Sequence, residues 1–368
     1  IPSETGTDPF VSFSWKALNN VIQGMLESGE KPNLLNLKKY MQGGVSSLLT
    51  KVLEKYFFTH VGPSWDAQLD KRIREIGKKN TLAGMTVVYA ELRDKGTIPG
   101  SEAVDDLIGM HDHSQEHASK MIASLLPVLT QLTAGPLREL LSPGGESGDI
   151  HDPRSLVNTE KIIRSGRVLY VGLDSLSDST VGSAIGSVLL ADITAVAGAR
   201  YNYSKGNDRV VSLYVDEAAE VVNRPFVSML NKGRGAKFQV TFAAQTMPDF
   251  IARTGSEPMA RQILGNANNL IALRVTDTIT QQFCVETFGM TTIKQTMQTS
   301  NTSTGTSEEL ANWSGGYGER LIEAEAELFP ASLLSVMPNL QYVARLADGR
   351  VIKGKLPIIT DDTVKNAA

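Results

Sequence analysis

The sequence predicts a two-part α/β protein, in which an all-α region is followed by a doubly wound, mainly parallel sheet with an antiparallel edge hairpin. Up to about residue 142, apolar residues recur at steps of three and four, as in amphipathic helices. From about residue 150, short apolar runs alternate with helical segments, which is typical of a parallel sheet. Between the two regions lies Ser142–Gly148, a cluster of Pro and Gly. We therefore predict domains at 1–142 and 143–368.

Composition narrows the class of protein. The chain has 368 residues, of which 41% are hydrophobic and 21% charged, the balance of a soluble protein of about two domains. We see no run of about 18 apolar residues that could span a bilayer. A single cysteine, Cys284, cannot form an internal disulfide, so we expect a reducing, cytosolic location.

The net charge of -4 excludes a globally basic nucleic-acid binder, so any contact with DNA has to be local. The chain opens on Ile1 and Pro2 with neither an initiator Met nor a signal-like segment. We therefore expect it to be part of a longer protein.

Strand candidates in the second region are short apolar runs with helical segments between them. An Asp348-Gly349 pair between the last two runs is a strong signal for a two-residue hairpin. Residues 291–316 are rich in Thr, Ser, Gln, Asn and Gly, and we expect them to form a flexible loop. The strand candidates are Val168–Gly172, Val210–Val215, Phe238–Ala243, Leu270–Arg274, Leu340–Arg345 and Arg350–Gly354.

The sharpest chemical signal is the pair Asp216 and Glu217, which directly follows the run Val210–Val215. Side chains at the carboxyl end of a parallel strand face the crevice where phosphates bind. In phosphate-loop ATPases the first such carboxylate holds Mg²⁺ through water, and the second orients the attacking water. The alternative is a strand that ends in a solvated acidic turn.

Two further features add to this pair. Gln245 and Thr246 follow the next strand candidate, where a group that senses the γ-phosphate would lie. Arg234 stands in a glycine-flanked basic turn with Lys232 and Lys237, and its planar fork of donors suits a phosphate. The alternative for this turn is a helix end whose cations favour the helix dipole.

Other motifs are weaker. No G-x-x-x-x-G-K-[ST] phosphate loop occurs, so we expect the chain alone neither to bind ATP tightly nor to hydrolyse it. Gly182–Ser187 is a loose glycine pattern that we assign to helix packing. His111, His113 and His117 could suggest a metal, but no cysteine or further ligand accompanies them, so we expect them to be solvated. A basic stripe around Lys71–Lys79 is read as a solvated helix face rather than a DNA contact.

Four segments taken in order resemble the TraD type of conjugative coupling protein, in particular the subgroup of integrative conjugative elements and genomic islands. The resemblance covers about residues 10 to 360, and the ordered series is more specific than any single motif. The segments are Leu126–Gly135 with Glu139–Pro143, then Val168–Asp178, then Tyr214–Glu217, and finally Gln239–Thr241 with Gln245-Thr246.

This resemblance implies a membrane-anchored, RecA-like phosphate-loop ATPase that uses ATP and Mg²⁺. In this family the protein is a ring, usually a homo-hexamer, that moves single-stranded DNA and links the relaxase and its relaxosome to the type IV secretion system. It implies that residues 1–142 match the inserted all-α domain and 150–360 the C-terminal half of the nucleotide-binding domain. The phosphate loop and membrane helices would lie upstream, at the cytoplasmic face of the bacterial inner membrane.

Carried over residue by residue, Asp216 and Glu217 match the Walker B pair, with Asp216 holding Mg²⁺ through water. Gln245 matches the downstream sensor, and Arg234 occupies the place of an arginine finger that acts in trans. Two other functions stay open. A non-catalytic adaptor would recruit substrates through the α domain, and a ring ATPase could serve chromosome segregation or DNA packaging instead of conjugation.

Overall fold

The computed structural model describes residues 9–76, 81–112, 122–123, 125–145, 156–204, 206, 208–304 and 313–358. Within it the chain divides into two compact units, Ile1–Val196 and Ala197–Ala368. This division does not test the predicted domain boundary at residue 142, which stays a prediction. His113 and His117 lie outside the described residues.

The first unit is helical throughout its described secondary structure. Asn33 caps the second helix by accepting a hydrogen bond from the Asn36 amide, and Asn158 caps a later helix in the same way through Lys161. The helices are α1 (Pro9–Ser28), α2 (Leu34–Gly43), α3 (Ser46–His60), α4 (Trp65–Ile76), α5 (Thr81–Asp94), α6 (Glu102–Asp112), α7 (Leu125–Leu132), α8 (Gly135–Leu141) and α9 (Thr159–Ser165). Helix α10 (Ser179–Tyr203) runs from this unit into the second.

One hydrophobic core joins the helices of this unit. Val21 and Met25 of α1, Leu48 and Leu53 of α3, and Leu107 of α6 are all fully buried. At Gly24 an added Cβ would lie 2.7 Å from Leu107 Cδ1, so glycine permits the close approach of α1 to α6. The helical region that apolar periodicity predicts is therefore present.

The strand predicted at Val168–Gly172 is not formed, and Val168 and Tyr170 are 95% and 90% exposed. An apolar run alone does not make a strand, because strand backbone needs a hydrogen-bonded neighbour and none pairs with this segment in the described chain.

Helix α10 corrects the expectation that no segment is apolar enough to span a membrane. An 18-residue window of this helix has a mean hydropathy of 1.6, and by length and composition alone it could cross one. Its Gly, Ser and Thr residues and Asp192 interrupt any strictly apolar run, which is why the sequence pattern did not reveal it. Core helices of soluble proteins share these properties, so the finding does not by itself assign a membrane.

The second unit contains the strands. They are β1 (Val211–Val215), β2 (Phe238–Phe242), β3 (Leu270–Ala272), β4 (Met290–Thr304), β5 (Trp313–Glu327), β6 (Gln341–Arg345) and β7 (Val351–Lys355). Among them are α11 (Ala218–Val221), α12 (Arg224–Lys232), a 3₁₀ turn (Gly233–Ala236), α13 (Met247–Thr254), α14 (Glu257–Gly265), α15 (Thr278–Phe288) and α16 (Ala331–Ser335).

The strand pairing differs from the mainly parallel sheet that the sequence predicts. Strands β1 and β2 pair in parallel, whereas β3, β6 and β7 form a separate antiparallel sheet in that order. Helices α13 and α14 lie between β2 and β3 along the chain. No described strand pairs with both β2 and β3, so the two sheets stay separate. Strand β3 pairs instead with β6, so antiparallel pairs outnumber parallel ones in the described chain.

Aromatic packing fixes the helices against the parallel pair. The Phe242 ring of β2 lies 6.3 Å from Phe226 of α12 and 6.2 Å from Phe250 of α13, in edge-to-face contacts. Phe226 and Phe250 are fully buried. A second core joins α15 to the antiparallel sheet through Ala272, Cys284, Phe288, Leu334 and Val343.

The predicted hairpin is present between β6 and β7. The Leu346 amide donates to Arg350 O at 2.9 Å and the Gly349 amide donates to Leu346 O at 2.9 Å. The loop therefore has three residues rather than two, with Gly349 at a φ of 87° in the left-handed position that glycine accepts.

The flexible loop expected at 291–316 is replaced by a long antiparallel ribbon. Strands β4 and β5 have 15 residues each and pair along their whole length, from Met290 opposite Glu327 to Thr304 opposite Trp313. Composition misled the prediction, because Thr favours strands and the segment Ile322–Glu327 alternates apolar and acidic residues. Residues 305–312 lie outside the described chain.

Candidate active site

The site lies where the parallel strands β1 and β2 end. The ladder continues one step beyond each strand, because the Ala243 amide donates to Val215 O at 2.9 Å and the Ala218 amide donates to Ala243 O at 2.8 Å. These two bonds enclose Asp216 and Glu217. The carboxylate pair is therefore held by backbone pairing at the carboxyl edge of the sheet.

Glu217 has an unusual backbone conformation. Its φ of 46° and ψ of 48° place it in the left-handed region, which costs a residue with a side chain about 1 kcal/mol. The Glu217 amide donates to Asp216 Oδ1 at 3.0 Å, which favours this tight turn. The turn directs the chain at once into α11, so both carboxylates stay exposed at the strand end.

Gln245 lies beside Glu217 at the end of the neighbouring strand. Its side-chain Nε2 donates to Glu217 Oε1 at 2.9 Å, and both side chains are exposed. The bond uses the amide N–H and leaves Gln245 Oε1 free to accept. Three groups with oxygen acceptors thus meet within one small region.

This donor set suits a hard divalent cation. Mg²⁺ prefers carboxylate and amide oxygens and usually retains several waters, and an exposed strand end leaves space for them. Asp216, Glu217 and Gln245 supply such oxygens, so the residues present fit the magnesium that the sequence predicts. The described ranges contain no cluster of three or more His, Cys, Asp or Glu side chains that could hold a metal ion without further ligands.

Helix α13 begins directly after Gln245 and is strongly capped. The Thr246 hydroxyl accepts from the Asp249 amide at 3.3 Å, and Asp249 Oδ2 accepts from the Thr246 amide at 3.0 Å. This reciprocal capping box fixes the entry of the chain into the helix.

Arg234 is not brought to the carboxylates. It lies in the 3₁₀ turn before β2, at the opposite end of a strand of five residues, which spans about 17 Å at about 3.3 Å per residue. Arg234 and Lys237 differ in their contacts, although both belong to the same basic turn. Lys237 Nζ donates to the carbonyls of Gly206 and Asp208 at 2.9 and 3.0 Å, whereas Arg234 is exposed and no hydrogen bond or ion pair of its guanidinium is found in the described chain.

The Tyr201 ring packs closely against Gly235 in this turn. An added Cβ would lie 2.5 Å from Cε2 of Tyr201, so only glycine lets the tyrosine ring pack on the turn. The sequence also allowed a helix end whose cations favour the helix dipole, and Lys232 is indeed the last residue of α12.

His111 is the one member of the predicted histidine group that the described chain includes. It lies at the end of α6, where its Nδ1 is 3.2 Å from the Ser46 hydroxyl. No metal role follows for it from this contact.

Sequence reasoning missed one contact near the site. The Met247 amide donates to Thr280 Oγ1 at 2.8 Å, which joins the start of α13 to the start of α15. The signal in the sequence was Asp277, three residues before Thr280, because Asp followed by a helical run marks a helix start.

The described chain is an α/β protein with a carboxylate pair at the end of a parallel strand. Residues 210–338, which include the site, match the family model described as the TraM recognition site of TraD and TraG. The resemblance to TraD-type coupling proteins that the sequence indicates is therefore confirmed. Among curated protein sequences none matches the chain.

Solved structures give the same class. The bacterial conjugative coupling protein TrwBdeltaN70, in an unbound monoclinic form, is similar over 95% of this chain and 64% of its own, with 13% identity and a TM-score of 0.56. TrwB in complex with the non-hydrolysable GTP analogue GDPNP matches with a TM-score of 0.53 and 13% identity over 95% of this chain and 64% of its own.

TrwB in complex with the non-hydrolysable ATP analogue ADPNP also matches, with a TM-score of 0.53 and 14% identity over 95% of this chain and 63% of its own. This chain thus spans somewhat less than two thirds of the length of these structures. At such identity the likeness establishes the fold, while the roles of individual residues stay predictions.

Proposed function

We propose that this chain supplies the carboxylate half of the ATP site in a conjugative coupling protein, an ATP-driven DNA translocase. The observation that carries the proposal is the meeting of Asp216, Glu217 and Gln245 at the ends of two parallel strands. The matched family model and the nucleotide complexes of TrwB support it.

In this proposal each residue has one role. Asp216 would hold Mg²⁺ through water, and Glu217 would accept a hydrogen bond from the attacking water and orient it. Gln245 donates to Glu217 and so fixes the direction of its carboxylate. Bound Mg²⁺ would supply positive charge against the phosphate oxygens.

Two further components have to come from outside the chain. Its sequence has no phosphate loop, so a longer parent protein would provide the loop and its lysine. Arg234 is too far from Glu217 to serve the same site, and its exposed guanidinium would instead reach the γ-phosphate held by a neighbouring copy. That assignment requires a ring, and we propose a homo-hexamer.

The cellular role follows from the same resemblance. We propose that the parent is anchored at the cytoplasmic face of the bacterial inner membrane and moves single-stranded DNA. It would join the relaxase and its relaxosome to the type IV secretion channel. The family model is described as a TraM recognition site, which supports the proposal that residues 210–338 bind a protein of the relaxosome.

Mating experiments test this function in cells. Donors whose parent gene carries Glu217→Gln should transfer DNA at a frequency at least about 10²-fold lower, the loss expected when a general base is removed. Donors with Glu220→Gln, an exposed glutamate one helical turn later, should transfer normally. Normal transfer by the Glu217→Gln donors would contradict the proposal.

A further inference from the structure

A hydrogen bond connects helix α15, which packs on the antiparallel β3–β6–β7 sheet, to the start of α13, two residues after Gln245 of the strand-end site. The Met247 residue is 1% exposed, and its amide is the first helical N–H of α13, a group that helices cannot satisfy internally. Thr280 Oγ1 of α15 accepts from this amide at 2.8 Å. The Thr246 side chain caps the Asp249 amide, and the Met247 amide is satisfied instead by Thr280 of α15.

Asp277 fixes the orientation of the Thr280 hydroxyl. Asp277 Oδ2 accepts from both the hydroxyl and the backbone amide of Thr280, each at 2.7 Å. Because the hydroxyl hydrogen is committed to Asp277, the oxygen's lone pairs face the Met247 amide. These hydrogen bonds from Thr280 hold the pKa of the Asp277 carboxyl below its ordinary value.

The segment that leads into Asp277 is itself held by hydrogen bonds to α16 and α15. The Val275 amide donates to Leu334 O at 3.2 Å, and the buried Gln281 side chain donates to Val275 O at 2.7 Å. Cys284 and Phe288, further along α15, pack in the core with Val343 of β6. Thr280 is therefore held on a helix that packs on the β3–β6–β7 sheet.

Gln245 lies between two hydrogen-bonded backbone amides. Two residues before it, the Ala243 amide bonds to Val215 O of β1, and two residues after it the Met247 amide bonds to Thr280. The three residues between these bonds, 244–246, include the side chain that donates to Glu217. A shift at either end would move the Gln245 amide relative to the carboxylate.

We propose that Thr280, oriented by Asp277, is a positioning residue that acts through Gln245 on Glu217. The β3–β6–β7 sheet thereby sets the direction of the carboxylate that orients the attacking water. This inference rests on the proposed ATPase function for its effect on turnover, but the contact itself can be tested independently.

The first test uses this chain alone and measures hydrogen exchange at the Met247 amide. Thr280→Val keeps the shape of the side chain and removes the acceptor, so exchange should accelerate at least about tenfold. Thr280→Ser keeps the hydroxyl and should exchange like the unchanged chain. Thr278→Val alters an exposed threonine two residues earlier and serves as the matched control.

The second test measures ATP hydrolysis by the parent protein that contains the phosphate loop. Thr280→Val should lower kcat about tenfold with KM for ATP unchanged, because a small misplacement affects chemistry more than binding. Thr280→Ser should restore kcat. In a Gln245→Ala background Thr280→Val should have no further effect, since Thr280 acts through Gln245.

Each failure has a different meaning. Equal loss of kcat from Thr280→Val with and without Gln245 would overturn the inference, as would unchanged exchange at Met247. An inactive unchanged parent would overturn the proposed function and leave the exchange result valid. Should Thr280→Val not fold, Asp277→Ala removes the carboxylate that accepts from the hydroxyl, and the same two shifts are expected in smaller degree.

Discussion

Gln245 Nε2 donates a hydrogen bond of 2.9 Å to Glu217 Oε1, and so links the end of β2 to the end of β1. Glu217 presents its carboxylate from a left-handed backbone conformation. Such conformations persist where the surrounding structure enforces them, and here the enforcement comes from the ladder bonds of Ala243 and Ala218. Local strain and a specific contact thus coincide at one residue.

The strain at Glu217 predicts a conflict between stability and activity. Glu217→Gly should raise the free energy of unfolding by about 0.5–1 kcal/mol, because glycine adopts a φ of 46° without a steric penalty. The same change should abolish hydrolysis in the parent. Denaturant unfolding of the chain measures the first effect. Glu220→Gly, within α11, should lower stability instead, and a destabilised Glu217→Gly variant would show that the turn is not strained.

Arg234 is predicted to act across a subunit boundary. Its loss should reduce turnover by on the order of 10³, as for arginine fingers that act in trans. Mixing Arg234→Ala subunits with Glu217→Gln subunits should restore part of the hydrolysis, because some interfaces then combine an intact Glu217 with an intact Arg234. Lys237→Ala is a useful comparison, since Lys237 holds the carbonyls of Gly206 and Asp208. No recovery in rings shown to contain both mutants would exclude the trans role.

The ribbon predicts a cross-strand charge effect. Lys294 of β4 lies opposite Glu323 of β5, with Nζ 3.3 Å from Oε1. Lys294→Glu should open the ribbon locally, because like charges directly opposite each other destabilise by about 0.2–1 kcal/mol. Hydrogen exchange of the amides in 290–300 and 317–327 measures this. Adding Glu323→Lys should reverse the effect, and faster exchange in the double variant than in the single one would contradict the pairing.

Cys284 is predicted to be unreactive in the folded chain. Burial raises the pKa of its thiol from 9.0 to about 11, which lowers the thiolate fraction at neutral pH by about 10²-fold. Labelling with a thiol-specific disulfide reagent should therefore be slow until denaturant is added. The unfolded thiol ionises first, so this group favours unfolding as pH rises from 9 toward 11. Rapid labelling at neutral pH without denaturant would contradict the burial.

The sequence could reveal features whose cause is local. The apolar runs Val210–Val215 and Phe238–Ala243 predict two strands, and both strands form. They pair in parallel, so Asp216 and Glu217 follow one strand end and Gln245 follows the other. The left-handed Glu217 and the exposed, separate position of Arg234 were not visible, because both depend on how α11 and α12 pack.

Features that depend on distant pairing escaped prediction. Val168–Gly172 has the apolar run of a strand but no hydrogen-bonded partner in the described chain, whereas the polar run Thr291–Thr304 has a partner in β5 and forms a strand. The bond from Met247 to Thr280 joins residues 33 positions apart, and no local pattern specifies it.

The central claim is that Asp216, Glu217 and Gln245 form half of an ATP site, and the most direct measurement uses the purified parent protein with its phosphate loop. ATP binding by calorimetry and ATP turnover are measured for the unchanged protein, for Glu217→Gln and for the control Glu220→Gln. The account predicts that Glu217→Gln binds ATP with Mg²⁺ as the unchanged protein does, while its kcat falls by about 10²-fold or more, since the amide keeps the shape but loses the charge. Glu220→Gln should match the unchanged protein in both. A Glu217→Gln protein that hydrolyses ATP at the unchanged rate would contradict the account.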